Sequence, residues 1–262
     1  MIFSSHNREI LITIAAVDLK MRYQNSKLGM VWSLLKPMMQ FFAYFMVFGV
    51  ILKVSSSPDY AIRLFLGILL WNFFVESTGN ALTCYSGKKT IITKIHVKKT
   101  ILPVSCFLTA LFNFGLTMLV FAVTYLVYTV RGITEFHLQR TGGGIFCLAL
   151  FSLFIVAVNI VLATLNVLFR DIQTMWDLVL SYFVFLSPIM YSIEIPEKYQ
   201  NLYYFFNPLA YPIEAVRSVF FASQGNWEQW DHFASYLLAV AVWCLAAWII
   251  NKKLGGRVTD FL

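Results

Sequence analysis

The chain has 262 residues, 59% of them hydrophobic and 13% charged, with a mean hydropathy of +0.71. Soluble domains carry about 25% charged residues, so the composition excludes an ordinary soluble protein and indicates an integral membrane protein with no soluble domain of its own. The net charge of +7 fits cytoplasmic loops rich in Lys and Arg better than nucleic-acid binding.

At the N-terminus, the apolar run "ILITIAAV" (10–17) is too short for a bilayer span, which takes about 20 residues. It is flanked by Asp18 and Lys20 and lacks the small-residue cleavage site of a signal peptide. Ile10, Ile14, Val17 and Met21 recur at helical spacing, with Glu9, Thr13, Ala16 and Lys20 on a more polar face. That pattern predicts an amphipathic helix along the membrane surface. A basic hinge, "KMRYQNSKLGMVWSLLKP" (20–37), follows, and its Trp32 is placed to anchor the first span at the interface.

Apolar runs then fall at about 34–53, 60–83, 102–130, 144–168, 172–193, 202–222 and 232–250. The sixth holds Asn207-Pro208, Pro212, Glu214 and Arg217. Prolines remove backbone donors, and orphaned backbone groups cannot face lipid. The segment is therefore expected to be a re-entrant helical hairpin turning near Asn207 to Pro212, with Glu214 and Arg217, three residues apart, forming a structural ion pair. Charge counting favours the same choice. With six spans, 14 of the 20 Lys and Arg lie on one side; a seventh crossing would leave 11 there. The positive-inside rule thus places both termini in the cytoplasm. The fold class expected is an all-α integral membrane protein: six transmembrane helices, an N-terminal interface helix, and a re-entrant hairpin before the last span. The loop "YSGKKTIITKIHVKKTILPVS" (85–105), with Ile91, Ile92 and Ile95 on one stripe, predicts a short amphipathic helix.

Several chemistries are missing from the sequence. There is no G-x-x-x-x-G-K-[ST] phosphate loop, no H-E-x-x-H and no G-x-S-x-G. Cys84, Cys106, Cys147 and Cys244 are spaced singly, and His6, His96, His137 and His232 are dispersed, so neither a disulfide framework nor a metal site is expected. Glu76, with Asn80 one turn on, is a deep intramembrane acid, and Asp177 lies early in the fifth span. An ion-coupled carrier of lipid-linked sugar usually needs several such acids. A membrane-embedded transferase would need a paired acid site, which is not evident. The aromatic share of 17% exceeds what interfacial anchoring requires. Tyr182, Phe183, Phe185 and Tyr191 therefore suit either helix packing or stacking on sugar rings.

Arg22-Tyr23, Ser26, Leu28-Gly29, Trp32, Leu35 and Pro37 together resemble the R-Y-x-x-S-x-L-G-x-x-W-x-x-L-x-P entry of ABC-2 type permeases that export polysaccharides. "NVLFRDIQTMWDLVLSYFVFLSPIMYS" (166–192) is similar to that family's F-R-D turn and S-P-I-x-Y end, and "FNPLAYPIEAVR" (206–217) to its N-P-x-x-x-x-I-x-x-x-R hairpin. The resemblance covers most of the chain. It implies one transmembrane domain over 1–262: interface helix and hinge at 5–30, five spans at 34–193, hairpin at 194–222, last span at 232–250 and a cytoplasmic tail at 251–262. It further implies a homodimer in the bacterial inner membrane, paired with two copies of a cytoplasmic ABC ATPase that binds ATP and Mg, so that this chain holds no cofactor and is not an enzyme. The substrate implied is a lipid-linked polysaccharide: O-antigen first, with capsular polysaccharide or teichoic acid as alternatives. On that reading the ATPase-coupling candidates are Lys20, Arg22, Tyr23, Lys88, Lys89, Ile95, His96, Lys98, Arg170 and Asp171. The channel and exit candidates are Trp32, Glu76, Tyr182, Phe185, Tyr191, Tyr203, Tyr204, Asn207, Pro208, Glu214 and Arg217.

Overall fold

The computed structural model describes residues 5–24, 29–89, 98–134, 138–191, 195–221 and 230–255. Among them every regular element is helical. In chain order these are α1 (Ser5–Tyr23), α2 (Val31–Tyr44) running on into a π-helical stretch (Phe45–Ile51), α3 (Tyr60–Gly87), α4 (Ile101–Val130), α5 (Leu138–Leu168), α6 (Ile172–Leu186), α7 (Glu197–Phe206), α8 (Ala210–Phe220) and α9 (Trp230–Leu254).

The centre of the bundle is α3, whose residues Ile62 to Leu70 are apolar on nearly every side and mostly buried. A helix hydrophobic all round belongs in an interior, and α3 packs along both α4 and α5. Lipid tails are as apolar as leucine, so packing and polar contacts hold such helices together. Phe73 stacks on Phe114 with ring centres 4.7 Å apart, and Phe74 on Phe154 at 5.9 Å. Buried Asn159 of α5 donates to Ser77 Oγ (2.8 Å) and to the Pro103 carbonyl (3.3 Å). Trp176 Nε1 of α6 donates to Thr78 Oγ1 at 3.1 Å. Much of the aromatic excess therefore serves the core.

Five helices among the described residues are long and apolar enough to cross a membrane: Val31–Ile51, Tyr60–Gly87, Ile101–Val130, Thr141–Leu168 and Trp230–Leu254. Their ends fall within four residues of the expected runs. The expected span at 172–193 differs. Helix α6 has 15 residues, about 22 Å at 1.5 Å per residue, against a hydrocarbon core of about 30 Å. Its end has a local cause, because a residue preceding proline is pushed out of the helical region. Ser187, before Pro188, is extended at φ −94° and ψ 146°.

Two further expectations are corrected. The turn between α7 and α8 occupies Asn207 to Leu209, and Pro212 lies inside α8. As the third residue of that helix, it forgoes only an N–H that would have had no intrahelical partner. On α1, Ile10 and Ile14 do face the bundle, against a cluster that includes Ala81, Cys84, Tyr85 and Ile101. Val17 and Met21, however, are 46% and 59% exposed. The docked stripe runs instead through Leu11, Ala15 and Asp18, because Asp18 is ion-paired to Lys88 at the end of α3. The stripe expected over 85–105 lies at residues outside the described set.

Candidate functional site

Two constellations of polar groups sit at different heights on α3. One ties it to the hinge after α1, the other to the α7–α8 hairpin. From Gly67, beside the hairpin, to Glu76, beside the hinge, is about 14 Å along the helix axis, so the two constellations share the central part of α3.

At the hinge, Arg22 forms an ion pair with Glu76 and donates from Nη2 to Asn80 Oδ1 at 2.9 Å. Asn113 of α4 donates to the same carboxylate at 2.5 Å. Glu76 and Lys88 are about 18 Å apart along α3, whereas their partners Arg22 and Asp18 are one turn apart on α1. The long Arg22 and Lys88 side chains span the difference, and the hinge end of α1 is drawn in alongside the middle of α3. A cavity of about 470 Å³ opens there, lined in part by Arg22, Trp32, Lys36, Asn72, Glu76 and Asn113. Asn72 Nδ2 donates to Gln40 of α2 at 2.9 Å, closing one flank. Trp32 is 49% exposed at the other. Thus Arg22 and Glu76, expected in separate roles, are direct partners.

At the hairpin, Asn207 precedes Pro208 and is buried. Its Nδ2 donates to the Leu186 carbonyl that ends α6 (2.9 Å), and its Oδ1 accepts from the Leu209 N–H (3.3 Å). One side chain thereby satisfies backbone groups at two chain breaks, which is what buried polar backbone demands. Tyr203 adds a bond from its hydroxyl to the same Leu186 carbonyl at 2.9 Å. The expected Glu214–Arg217 ion pair is not formed. Glu214 accepts from the Tyr204 hydroxyl at 2.7 Å. Arg217 turns to backbone carbonyls instead, with Nε and Nη2 donating to Arg63 O (3.2 and 3.0 Å), Nη2 to Ile189 O (2.8 Å) and Nη1 to Pro188 O. Its guanidinium crosses α3 at Gly67, the point where a Cβ would overlap Nη2. A five-donor fork suits this cradle of carbonyls better than a single carboxylate.

Among the remaining candidates, Lys20, Lys89, Lys98, Arg170 and Asp171 are exposed, and Tyr23 closes α1. Asp171 stands at the N-cap of α6 without a capping side-chain bond. Ile95 and His96 lie outside the described residues. Tyr182 and Phe185 are 69% and 51% exposed on α6, whereas Tyr191 donates to the Phe185 carbonyl. Sequence reasoning missed Gly67, Asn113, Asn72 and Lys36. Their only sequence signals were a glycine and polar residues within apolar runs.

Comparisons with known proteins bear on the whole of this arrangement. The model of the ABC-2 type transporter family matches residues 10–221, from α1 through the hairpin. The chain is 29% identical over 221 residues to an O-antigen export system permease protein RfbA of Klebsiella pneumoniae, covering 84% of this chain and 83% of the relative. A protein of the same name from Myxococcus xanthus is 28% identical over 220 residues, covering 82% and 81%. A match that takes in the hinge, the central helices and the hairpin places this chain in the ABC-2 type transporter family.

Proposed function

We propose that this chain is the channel-forming membrane subunit of a polysaccharide exporter, acting as a homodimer and driven by a separate cytoplasmic ATPase. The observation that carries the reading is similarity across more than four-fifths of the chain to permeases named for O-antigen export. O-antigen, held on a lipid carrier, is accordingly the first choice of substrate. The absence of a phosphate loop from the sequence fits an ATP site on another polypeptide. In this reading α1 and both termini are cytoplasmic, and α6 crosses with its non-helical end sheltered by protein. The hairpin is re-entrant at the outer face, where Asn207 and Arg217 meet its backbone requirements.

The carrier reading is weakened by Glu76. A coupling acid must be free to take up and release its ion, yet this carboxylate is engaged by Arg22 and Asn113. Support for the dimer comes from α2 and α6. Phe42 on the first, Val47 in the π-helical stretch that continues it, and Tyr182 and Phe185 on the second are exposed, which offers apolar faces to a second protomer as well as to lipid. Closure of the ATPases would then be felt through the exposed bases of the cytoplasmic face and transmitted to the dimer seam.

Deletion of the gene in its host tests the assignment. Loss of the surface polysaccharide with build-up of the lipid-linked glycan inside, both reversed by a plasmid copy, is the expected outcome. Normal surface polysaccharide in the deletion strain would refute it.

A further inference from the structure

Two opposite charges on α2 and α6 stand exposed, and neither is in an ion pair among the described residues. Lys36 lies on the outer stripe of α2 between Trp32 and Met39, and Asp177 lies on α6 between Gln173 and Ser181, all of them exposed. Glu76, which lines the same cavity as Lys36, is engaged by Arg22 and Asn113. A long lysine can reach back toward water from a helix end, but an aspartate side chain is too short to do so. Acids in spans face protein or water and pair with a partner. Helix α3 measures the heights of the two charges, because it runs antiparallel to both elements. Gln40 of α2 meets Asn72 at 2.9 Å, and Phe45, further along, meets Tyr60. Trp176 of α6 meets Thr78 at 3.1 Å, and Met190, past the end of α6, meets Tyr60. Lys36 precedes Gln40 by one turn and Asp177 directly follows Trp176, which puts them about 6 Å and about 7.5 Å from Asn72 toward Gly87. The two charges are therefore level. They also border one face of the protomer, since Phe48, beyond α2, lies against Tyr191, beyond α6, with ring centres 6.3 Å apart.

We infer that Lys36 of one protomer pairs with Asp177 of a second copy of the chain, and Asp177 with the second copy's Lys36. A two-fold axis along the bundle keeps every residue at its own height and brings each surface against its own copy, so that a contact of one residue with another is made twice. Level charges of opposite sign on the two borders of one face are what such an axis can join. An anionic lipid head group would suit Lys36 but repel Asp177, whereas a copy of the same face satisfies both. Around the charges, Met39 and Phe42 on α2 and Leu178 and Tyr182 on α6 are exposed and apolar or aromatic, and they would slide on one another without a fixed point. Setting register is the best-attested use of a paired charge between helices, and the two ion pairs supply it here at one level of the seam. The inference rests on the homodimer of the reading above and adds the residues that align it.

Two full-length forms with different affinity tags, coexpressed in one membrane, test the contact. In a background lacking the four native cysteines, one form carries Lys36→Cys and the other Asp177→Cys, and a short bifunctional thiol reagent is added to the membranes. A cross-linked dimer bearing both tags is expected. Leu119→Cys on α4, also exposed, should give none when it replaces Asp177→Cys. Charge exchange supplies the second measurement. Lys36→Glu and Asp177→Lys should each raise the dimer dissociation constant in detergent about tenfold or more, because each sets like charges together in both pairs. Combined in one chain, the two substitutions restore opposite signs and should return the constant to within about threefold of the parent. Damage to the fold of either helix would not be repaired in this way, since the two side chains form no ion pair within a protomer. Dimers that carry both tags but give no cross-link between positions 36 and 177, or a double variant no tighter than the single ones, overturn the pairing and leave the dimer standing. Failure of the two tags to be recovered together at all overturns the homodimer, and the pairing with it.

Discussion

Gly67→Ala is the substitution for which the structure and a simple propensity argument disagree in sign. Alanine is favoured over glycine in a helix interior by about 1 kcal/mol, so propensity predicts stabilisation. The added methyl would overlap Arg217 Nη2 and lie 3.2 Å from its Cζ and 3.4 Å from Ile189 Cα. The guanidinium cannot retreat without surrendering bonds to the Arg63 and Ile189 carbonyls. Two hydrogen bonds from a charged donor are worth about 3–6 kcal/mol together. After the propensity gain is subtracted, a net loss of about 2–5 kcal/mol is expected. Thermal unfolding in detergent, followed with a thiol-reactive dye that reports exposure of the buried Cys84, Cys106 and Cys147, measures it. Gly79→Ala on the same helix is the control, since a Cβ there meets nothing within 4 Å, and it should be neutral or stabilising. Gly67→Ala and Arg217→Met should be strongly non-additive, because each disrupts the same cradle. A Gly67→Ala protein as stable as the parent, or additive costs in the double variant, would refute the proposed anchoring of the hairpin to α3.

Three more outcomes are expected. Lys88→Gln and Asp18→Asn should each cost about 1–2 kcal/mol, as a partly buried pair losing one partner, and should speed tryptic cutting at Lys20; unchanged cutting would show that the pair does not hold α1. Asn159→Leu should lower stability by roughly 0.6–1.7 kcal/mol, the range for interhelical hydrogen bonds in membranes, measured by the same unfolding assay; no loss would mean the Asn159–Ser77 contact contributes nothing. In a background lacking the four native cysteines, Gln200→Cys and Lys253→Cys should react with an impermeant maleimide from opposite sides, whereas labelling of both from outside would establish a seventh crossing.

Long apolar runs were legible because their length is a direct consequence of bilayer thickness, and α3, α4, α5 and α9 lie where those runs are. The break at Asn207-Pro208 was legible for a local reason too, since proline's missing donor and its effect on the preceding residue act within the sequence. The same rule applied to Ser187-Pro188 would have shortened α6, but the apolar residues Ile189 and Met190 masked the break. What the sequence did not show is long-range. Arg217 was matched to the nearest acid along its helix, yet its partners lie up to 154 residues away and are carbonyls, which carry no sequence label. Arg22 and Glu76, 54 residues apart, were likewise unrelated until α1 was seen against α3. The docked face of α1 includes Asp18, which pairs with Lys88 at the end of α3, so a stripe read from hydrophobicity alone came out rotated.

On the exporter reading, this chain moves polysaccharide only when a separate ATPase supplies the energy. The most direct test is reconstitution of the purified permease into liposomes loaded with the fluorescently tagged lipid-linked glycan, with and without its ATPase and ATP. Translocation is expected only when permease, ATPase and hydrolysable ATP are all present, and none with the permease alone. Movement of the glycan by the permease alone, at a rate unaffected by ATPase and nucleotide, would contradict it.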